Sequence, residues 1–200
     1  MATGVQRLRV AVPKDQVVER GKTAADYFDV LANNQGITEE YLYAHQPTTD
    51  DRIAVYSTNS VPVGWLDDSD NLRTEFTVIE GPVIIVARKG YAGRLFVVAD
   101  DNLIVHEDAY AIRPKPEYID KLALAWFAGH YSFEFQANRT SMWGIGDFPR
   151  ERMKVIDVVL PTIAHQEEAA ALYARRDRLL GSISALRSEA EDRVAHAAGL

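Results

Sequence analysis

The chain contains no cysteine, which excludes structural disulfides, thiolate zinc sites and cysteine nucleophiles. It also has no apolar run approaching the ~20 residues that a membrane span needs, so no membrane association is expected. The first twenty residues carry Arg7, Arg9, Lys14 and Arg20 with no uninterrupted apolar stretch behind them. That is not the pattern of a secretory signal, and the expected compartment is the cytoplasm. Asn138-Arg139-Thr140 fits the glycosylation acceptor pattern, but no export signal accompanies it. A basic excess is missing too: 22 Lys and Arg face 29 Asp and Glu, a net charge of −7. Such a balance argues against a broad, non-specific nucleic-acid binder. It leaves room for one whose cations gather on a single face, or for an acidic surface that meets a basic partner.

Catalytic signatures are equally scarce. Gly21-Lys22-Thr23 resembles the end of a phosphate-binding loop, but the residue five positions earlier is Gln16 rather than glycine. Without that glycine the backbone amides cannot wrap a phosphate. The run Asp67-Asp68-Ser69-Asp70-Asn71 lacks the glycine and distal glutamate of a calcium loop and reads as a solvated turn. A hydrolase built on His106 or His130 finds no nucleophile elbow and no metal-ligand spacing. There is no Asn/Asp-Pro-Pro-Tyr/Phe tetrapeptide, no glycine-rich cofactor loop, and no nuclease-type Asp…Glu-x-Lys cluster, since Glu80 and Lys89 stand too far apart. No catalytic residue and no metal ligand is expected.

What is present is a folded chain of 200 residues, 47% hydrophobic and 10% aromatic, long enough for one domain with an appendage. Val155 to Leu160 is a β-branched run that reads as a buried strand, ended by Pro161, and Thr162 can cap a following helix. Upstream, the pattern predicts a broken strand around Val5 to Val12 followed by a polar turn. A short helix is expected over 23–31, a Thr38-capped helix at 39–42, and strands near 53–57 and 61–65. A strand pair should flank Arg88 to Arg94, with further strands over 102–112, a helix over 117–135, and a polar, glycine-rich loop over 137–146. The turn Arg88-Lys89-Gly90-Tyr91-Ala92-Gly93-Arg94 joins two glycines to three cations. It reads either as a solvated hairpin tip or as a contact for phosphates and base edges. From His165 on, Ala169, Leu172, Arg176, Leu179, Ile183, Leu186, Ala190, Arg193 and Ala197 recur at steps of three and four, a heptad seam with Arg176 and Arg193 as poor fits. One narrow stripe cannot bury itself, so the helix is expected to pair with the helix of another chain.

Together these pieces resemble one target recognition domain of a type I restriction-modification specificity subunit. The likeness rests on Asn34 to Tyr41, Val55-Tyr56-Ser57-Thr58, Gly64-Trp65-Leu66, Ile84 to Gly93, Gly144-Ile145, and the Leu160-Pro161…Gln166 junction. The resemblance implies an α+β fold, with a β-rich DNA target recognition domain over residues 1–161. A long coiled-coil spacer helix for dimerisation and methyltransferase docking would follow over 162–200. In that family a subunit carries two such domains and two antiparallel spacer helices, each domain reading half of a split DNA site. A DNA adenine methyltransferase subunit, with its own S-adenosylmethionine, does the chemistry, and a restriction subunit is a further candidate partner. One domain and one helix imply a non-catalytic half-subunit that homodimerises on double-stranded DNA to read a split palindrome.

The expected DNA contacts are Arg88, Lys89, Tyr91 and Arg94 first, then Asn138, Arg139, Thr140 and Ser141, then Thr58, Asn59, Ser60 and Arg73. Trp143 is expected to pack under its loop. The partner-helix row is Ala169, Leu172, Arg176, Leu179, Ile183, Leu186 and Ala190. The competing reading is a protein-interaction module with a dimeric coiled-coil stalk and no nucleic-acid role.

Overall fold

The computed structural model describes residues 10–142 and 145–197. Val5 and Leu8 of the expected first strand, together with Trp143 and Gly144, lie outside the described residues. The chain runs β1 (Val17–Thr23), α1 (Ala24–Tyr27), β2 (Phe28–Val30), α2 (Glu39–Ala44), β3 (Arg52–Tyr56), β4 (Gly64–Asp67), α3 (Asp70–Glu75), β5 (Val78–Glu80) and β6 (Val83–Ala87). It continues through β7 (Leu95–Val98), β8 (Asn102–Val105), β9 (Ala109–Pro114), α4 (Leu124–Ala137), β10 (Thr140–Met142), β11 (Ile145–Asp147), β12 (Asp157–Pro161) and α5 (Ile163–Ala197). This is an α+β head followed by one long helix.

Side-chain alternation sorts the strands into layers. One four-stranded sheet has the order β2-β9-β6-β7 and a second has β4-β3-β8-β5. In β6, Ile84 and Val86 face a core shared with α1, α4 and the start of α5, while Val83 and Ile85 face the second sheet. In β9, Tyr110 and Ile112 point to the helices, and Ala109 and Ala111 point between the sheets. Ala54, Tyr56, Leu103 and Val105 meet them from the second sheet. That sheet turns Ile53, Val55 and Ile104 outward against Leu42 and Leu72 of α2 and α3. Helices, sheet, sheet and helices thus stack in sequence. Strands β6, β8 and β9 are covered on both faces, which is why they read as unbroken apolar runs.

Several local expectations change because a tertiary partner competes with local preference. The helix expected over 23–31 stops at Tyr27. Its Thr23/Asp26 capping box forms, but Phe28, Asp29 and Val30 are drawn into pairing with Pro114, Arg113 and Ile112. The expected polar turn after Pro13 is β1, which finds its ladder in β12, with Lys22 opposite Val158 and Thr23 opposite Asp157. Gly21-Lys22-Thr23 therefore ends a strand. Lys22 is held by Glu19 at 2.6 Å and donates to the Tyr118 hydroxyl. Val155 is not in a buried strand. It lies in a 3-10 turn (Arg150–Val155) before that ladder begins and is half exposed. The helix expected from Glu117 is split into a 3-10 turn (Pro116–Tyr118) and α4.

The run 67–71 is not a single turn. Ser69 caps α3 by accepting from the Leu72 amide. Asp67 accepts from Thr48 and Thr49, bonds that hold its carboxyl down to about 2. The polar loop over 137–146 contains the β10–β11 hairpin.

One side chain joins the long helix to the head. Gln166 is fully buried; its Oε1 accepts from the Ala123 amide at 2.8 Å, and its Nε2 donates to the Lys121 and Pro161 carbonyls, both at 2.8 Å. It satisfies the end of β12 and the entry to α4 at once. One turn further along, Ala169 and Tyr173 pack into the head's core. Gly129 of α4 makes room, because a Cβ there would stand 2.6 Å from the Tyr173 ring. Ala169 is therefore not on an exposed partner row; the first turns of α5 have already found their partner in α4. From Asp177 to Arg193 every residue is exposed, including Leu179, Leu180, Ile183 and Leu186. No described helix is long and apolar enough to cross a membrane.

Gln166→Ala would leave three buried backbone groups without their partner. At about 1–3 kcal/mol for each orphaned group, a loss of about 3 kcal/mol is expected in urea unfolding, with an unchanged slope. A loss below about 1 kcal/mol would show that water replaces the amide.

Candidate nucleic-acid interface

The topology decides which loops meet. β3 and β8 run parallel, with Tyr56 opposite Val105, and β6 pairs with β9 so that Ala87 lies opposite Ala109. The segments that follow β3 and β6 and the turn joining β8 to β9 therefore emerge at one end of the molecule. That end collects Thr58, Asn59 and Ser60, the glycine turn 88–94, and the short turn His106-Glu107-Asp108.

The glycine turn is held from two sides. Gly90 and Gly93 have φ of 65° and 82°, values that side chains beyond glycine adopt at a cost. A Cβ on Gly93 would stand 2.6 Å from backbone atoms of Phe135 and Gln136 at the end of α4. On the other side lies the β10–β11 hairpin. Lys89 forms a bridge with Asp147, the Phe148 amide donates to the Arg88 carbonyl at 2.9 Å, and a Cβ on Gly146 would meet that of Ala92 at 3.3 Å. Buried Phe148 stacks on Phe135, with ring centres 4.9 Å apart. The first and second groups of expected contacts are thus one structural unit.

Within it the side chains differ in what they are free to do. Arg88 donates through Nε to Asp147 Oδ1 at 3.3 Å. Lys89 lies 2.8 Å from Asp108 and 3.9 Å from Glu107, and the Asp108 carboxylate raises its ammonium above the usual range. Tyr91 is 65% exposed and carries the Arg94 guanidinium 5.9 Å above its ring. Among the described residues, neither Arg94 nor Arg139 has a carboxylate partner, and both are exposed. Asn138 is spent on the Glu134 carbonyl at 2.8 Å, and the Thr140 hydroxyl on the Asp147 carbonyl at 3.1 Å. Ser141 is exposed.

Ser60, Tyr91 and Arg94 also line a groove of about 670 Å³ with Gln136, Tyr173 and Arg176. The third group thereby reaches the glycine turn, and the groove runs on to α5. Arg73 does not reach it. It is gripped by Asp68 through two bonds of 2.7 and 2.5 Å. Asp68 in turn takes its backbone bond from Asp51, at the opposite end of β3. That far end is acidic, with Asp50, Asp100 and Asp101 around Arg52 and Trp65. The charge is polarised along the strands, so a net charge of −7 coexists with a cationic end. His106, Glu107, Asp108 and Asp147 were not among the expected contacts. Their only signal would have been strand pairing, which the sequence does not display.

No protein-family model matches the chain, and no curated protein sequence matches it. Solved structures do. An α+β head with a long C-terminal helix is found in the type I restriction-modification system S subunit from M. genitalium, at a TM-score of 0.57 and 14% identity over 94% of this chain and 47% of that one. A chain from work on complex assembly and conformational transition of the type I R-M system matches with a TM-score of 0.62 and 12% identity, over 92% of this chain and 44% of that one. The HsdS subunit from Thermoanaerobacter tengcongensis gives 0.53 and 13%, over 90% and 41%. The fold is that of one half of a type I S subunit: this chain spans about half the length of the solved chains it matches.

Gly93→Ala should destabilise the head by at least about 2 kcal/mol, since positive φ alone costs ~1–3 kcal/mol and the new methyl would press on α4. The check is the urea midpoint. A loss within about 0.5 kcal/mol would show that the turn swings free of α4.

Proposed function

We propose that this chain is a non-catalytic DNA-specificity half-subunit of a restriction-modification system. Residues 1–161 act as the target recognition domain and 162–200 as the spacer. The observation that carries the reading is the gathering of exposed Arg94 and Arg139, with Arg88, Tyr91 and Ser60, at one end of a head whose fold is half of an S subunit. Arginines reach phosphates and guanine edges, and hydroxyls reach either. The exposed part of α5, from Asp177 on, offers Leu179, Ile183 and Leu186 to a second copy. Antiparallel pairing of two such helices gives a two-fold dimer. Its ~20 overlapping residues at about 1.5 Å each hold the heads ~30 Å apart, near the ~34–36 Å of one DNA turn. The target is then a split palindrome on double-stranded DNA. A DNA adenine methyltransferase subunit carrying S-adenosylmethionine docks on the dimer, a restriction subunit is a further partner, and the complex works in the cytoplasm.

Leu179→Asp with Ile183→Asp should convert the dimer to a monomer in light scattering while the head's circular dichroism is kept. An unchanged mass would remove this row from the interface. Arg94→Ala with Arg139→Ala should weaken binding to all duplexes and reduce the slope of log affinity against log salt by about 2, at ~0.9 per lost phosphate contact. An unaltered slope would take both arginines off the DNA. A homodimer with no salt-dependent affinity for DNA would favour the stalked interaction module, to which the acidic end of the head is suited.

A further inference from the structure

We infer that Asp147 is a positioning residue that sets base selectivity by fixing the fork of Arg88. This rests on the DNA-binding reading proposed above. Both members of the pair are anchored through their backbones. Asp147 pairs with Thr140 across the hairpin, receives the Thr140 hydroxyl on its carbonyl, and bridges to Lys89. The Arg88 carbonyl accepts from Phe148 and its amide donates to the Asp108 carbonyl at 2.8 Å. Between these anchors the Arg88 Nε to Asp147 Oδ1 bond of 3.3 Å restricts a side chain that would otherwise sample many rotamers. The bond engages Nε. Among the described residues, no hydrogen-bond partner takes the two Nη groups. Those are the donors that pair bidentately with guanine O6 and N7. The pair is 42% and 32% exposed, so the fork can meet a base while the carboxylate stays behind it.

A carboxylate on a face that approaches phosphates repels them. Its presence there weakens binding to every duplex equally and is recovered only where the oriented arginine finds its base. Lys89 does not supply the compensating attraction, because Asp108 and Glu107 already hold it. Arg94 and Arg139 do. The face thus divides its work: Arg94 and Arg139 give affinity, and the Arg88–Asp147 pair gives preference.

The test is selection of bound duplexes from a randomised library by the whole chain, together with its affinity for random-sequence DNA. Wild type should enrich guanine at one position in each half-site. Asp147→Ala should lose about tenfold of that preference, the size of one good bidentate contact, yet bind random DNA at least as tightly as wild type. A merely structural role would lower both affinities together, and that result would overturn the proposal. Full retention of the guanine preference in Asp147→Ala would overturn it equally. Should the alanine variant not fold, Asp147→Asn keeps the shape and removes the charge. A several-fold loss of preference with random-sequence affinity kept supports the proposal, and behaviour identical to wild type in both assays overturns it. Arg88→Ala should lose the same position as Asp147→Ala. A wild type that enriches no sequence would overturn the DNA reading itself, and this inference with it.

Discussion

Everything the long helix can do depends on how it is fixed to the head, and Gln166 is the point of fixation. A helix that leaves a domain from the end of a strand has orphan backbone groups at the junction. Here one buried amide takes the Ala123 N–H and the Lys121 and Pro161 carbonyls together. The direction of α5 is thereby tied to β12 and to the entry of α4. Tyr173 extends the grip by one more turn, lying in the space that Gly129 leaves open. A spacer attached by an unstructured linker could not set a distance between two heads. One attached through packed turns can.

The same α4 that receives α5 also supports the candidate interface. Its buried aromatic face stacks Phe127 against Phe28 and Phe135 against Phe148. Its last turn lies so close to Gly93 that only a glycine fits without displacement. The cationic turn, the β10–β11 hairpin and the helix docking site are therefore built on one element. The layered sheets behind it separate charge, sending Asp50, Asp100 and Asp101 to the far end and Arg88, Arg94 and Arg139 to the near one.

Much of the layering was legible in the sequence, because it is written in local patterns. The apolar run Val83 to Val86 marked a strand covered on both faces. Thr38 marked a capped helix, and the two glycines of the turn at 88–94 marked a tight connection. What was not legible depended on partners distant in the chain. Val17 to Thr23 looks like a polar turn until β12 offers it a ladder. Phe28 to Val30 looks helical until β9 takes it. Ala169 fits a heptad seam by spacing, yet its neighbour is α4, since spacing says that a face is apolar and not what covers it. Arg73 failed as a companion of the other candidates for a related reason. Asp68, five residues before it, gives a local cause for its position, and β3 carries it to the opposite end. Asp147 and Asp108, which hold the turn's cations, are ordinary acids in the sequence and acquire meaning only from pairing.

The central claim is that two copies of one head, held apart by paired helices, read two identical half-sites. The measurement that tests it most directly is mapping of DNA adenine methylation in cells with and without this chain, in the presence of the methyltransferase that co-purifies with it. The account predicts a mark that depends on the chain and lies in a split palindrome with half-sites about one DNA turn apart. A dependent mark on an asymmetric site would contradict the two-fold dimer, and the absence of any dependent mark would contradict the specificity role.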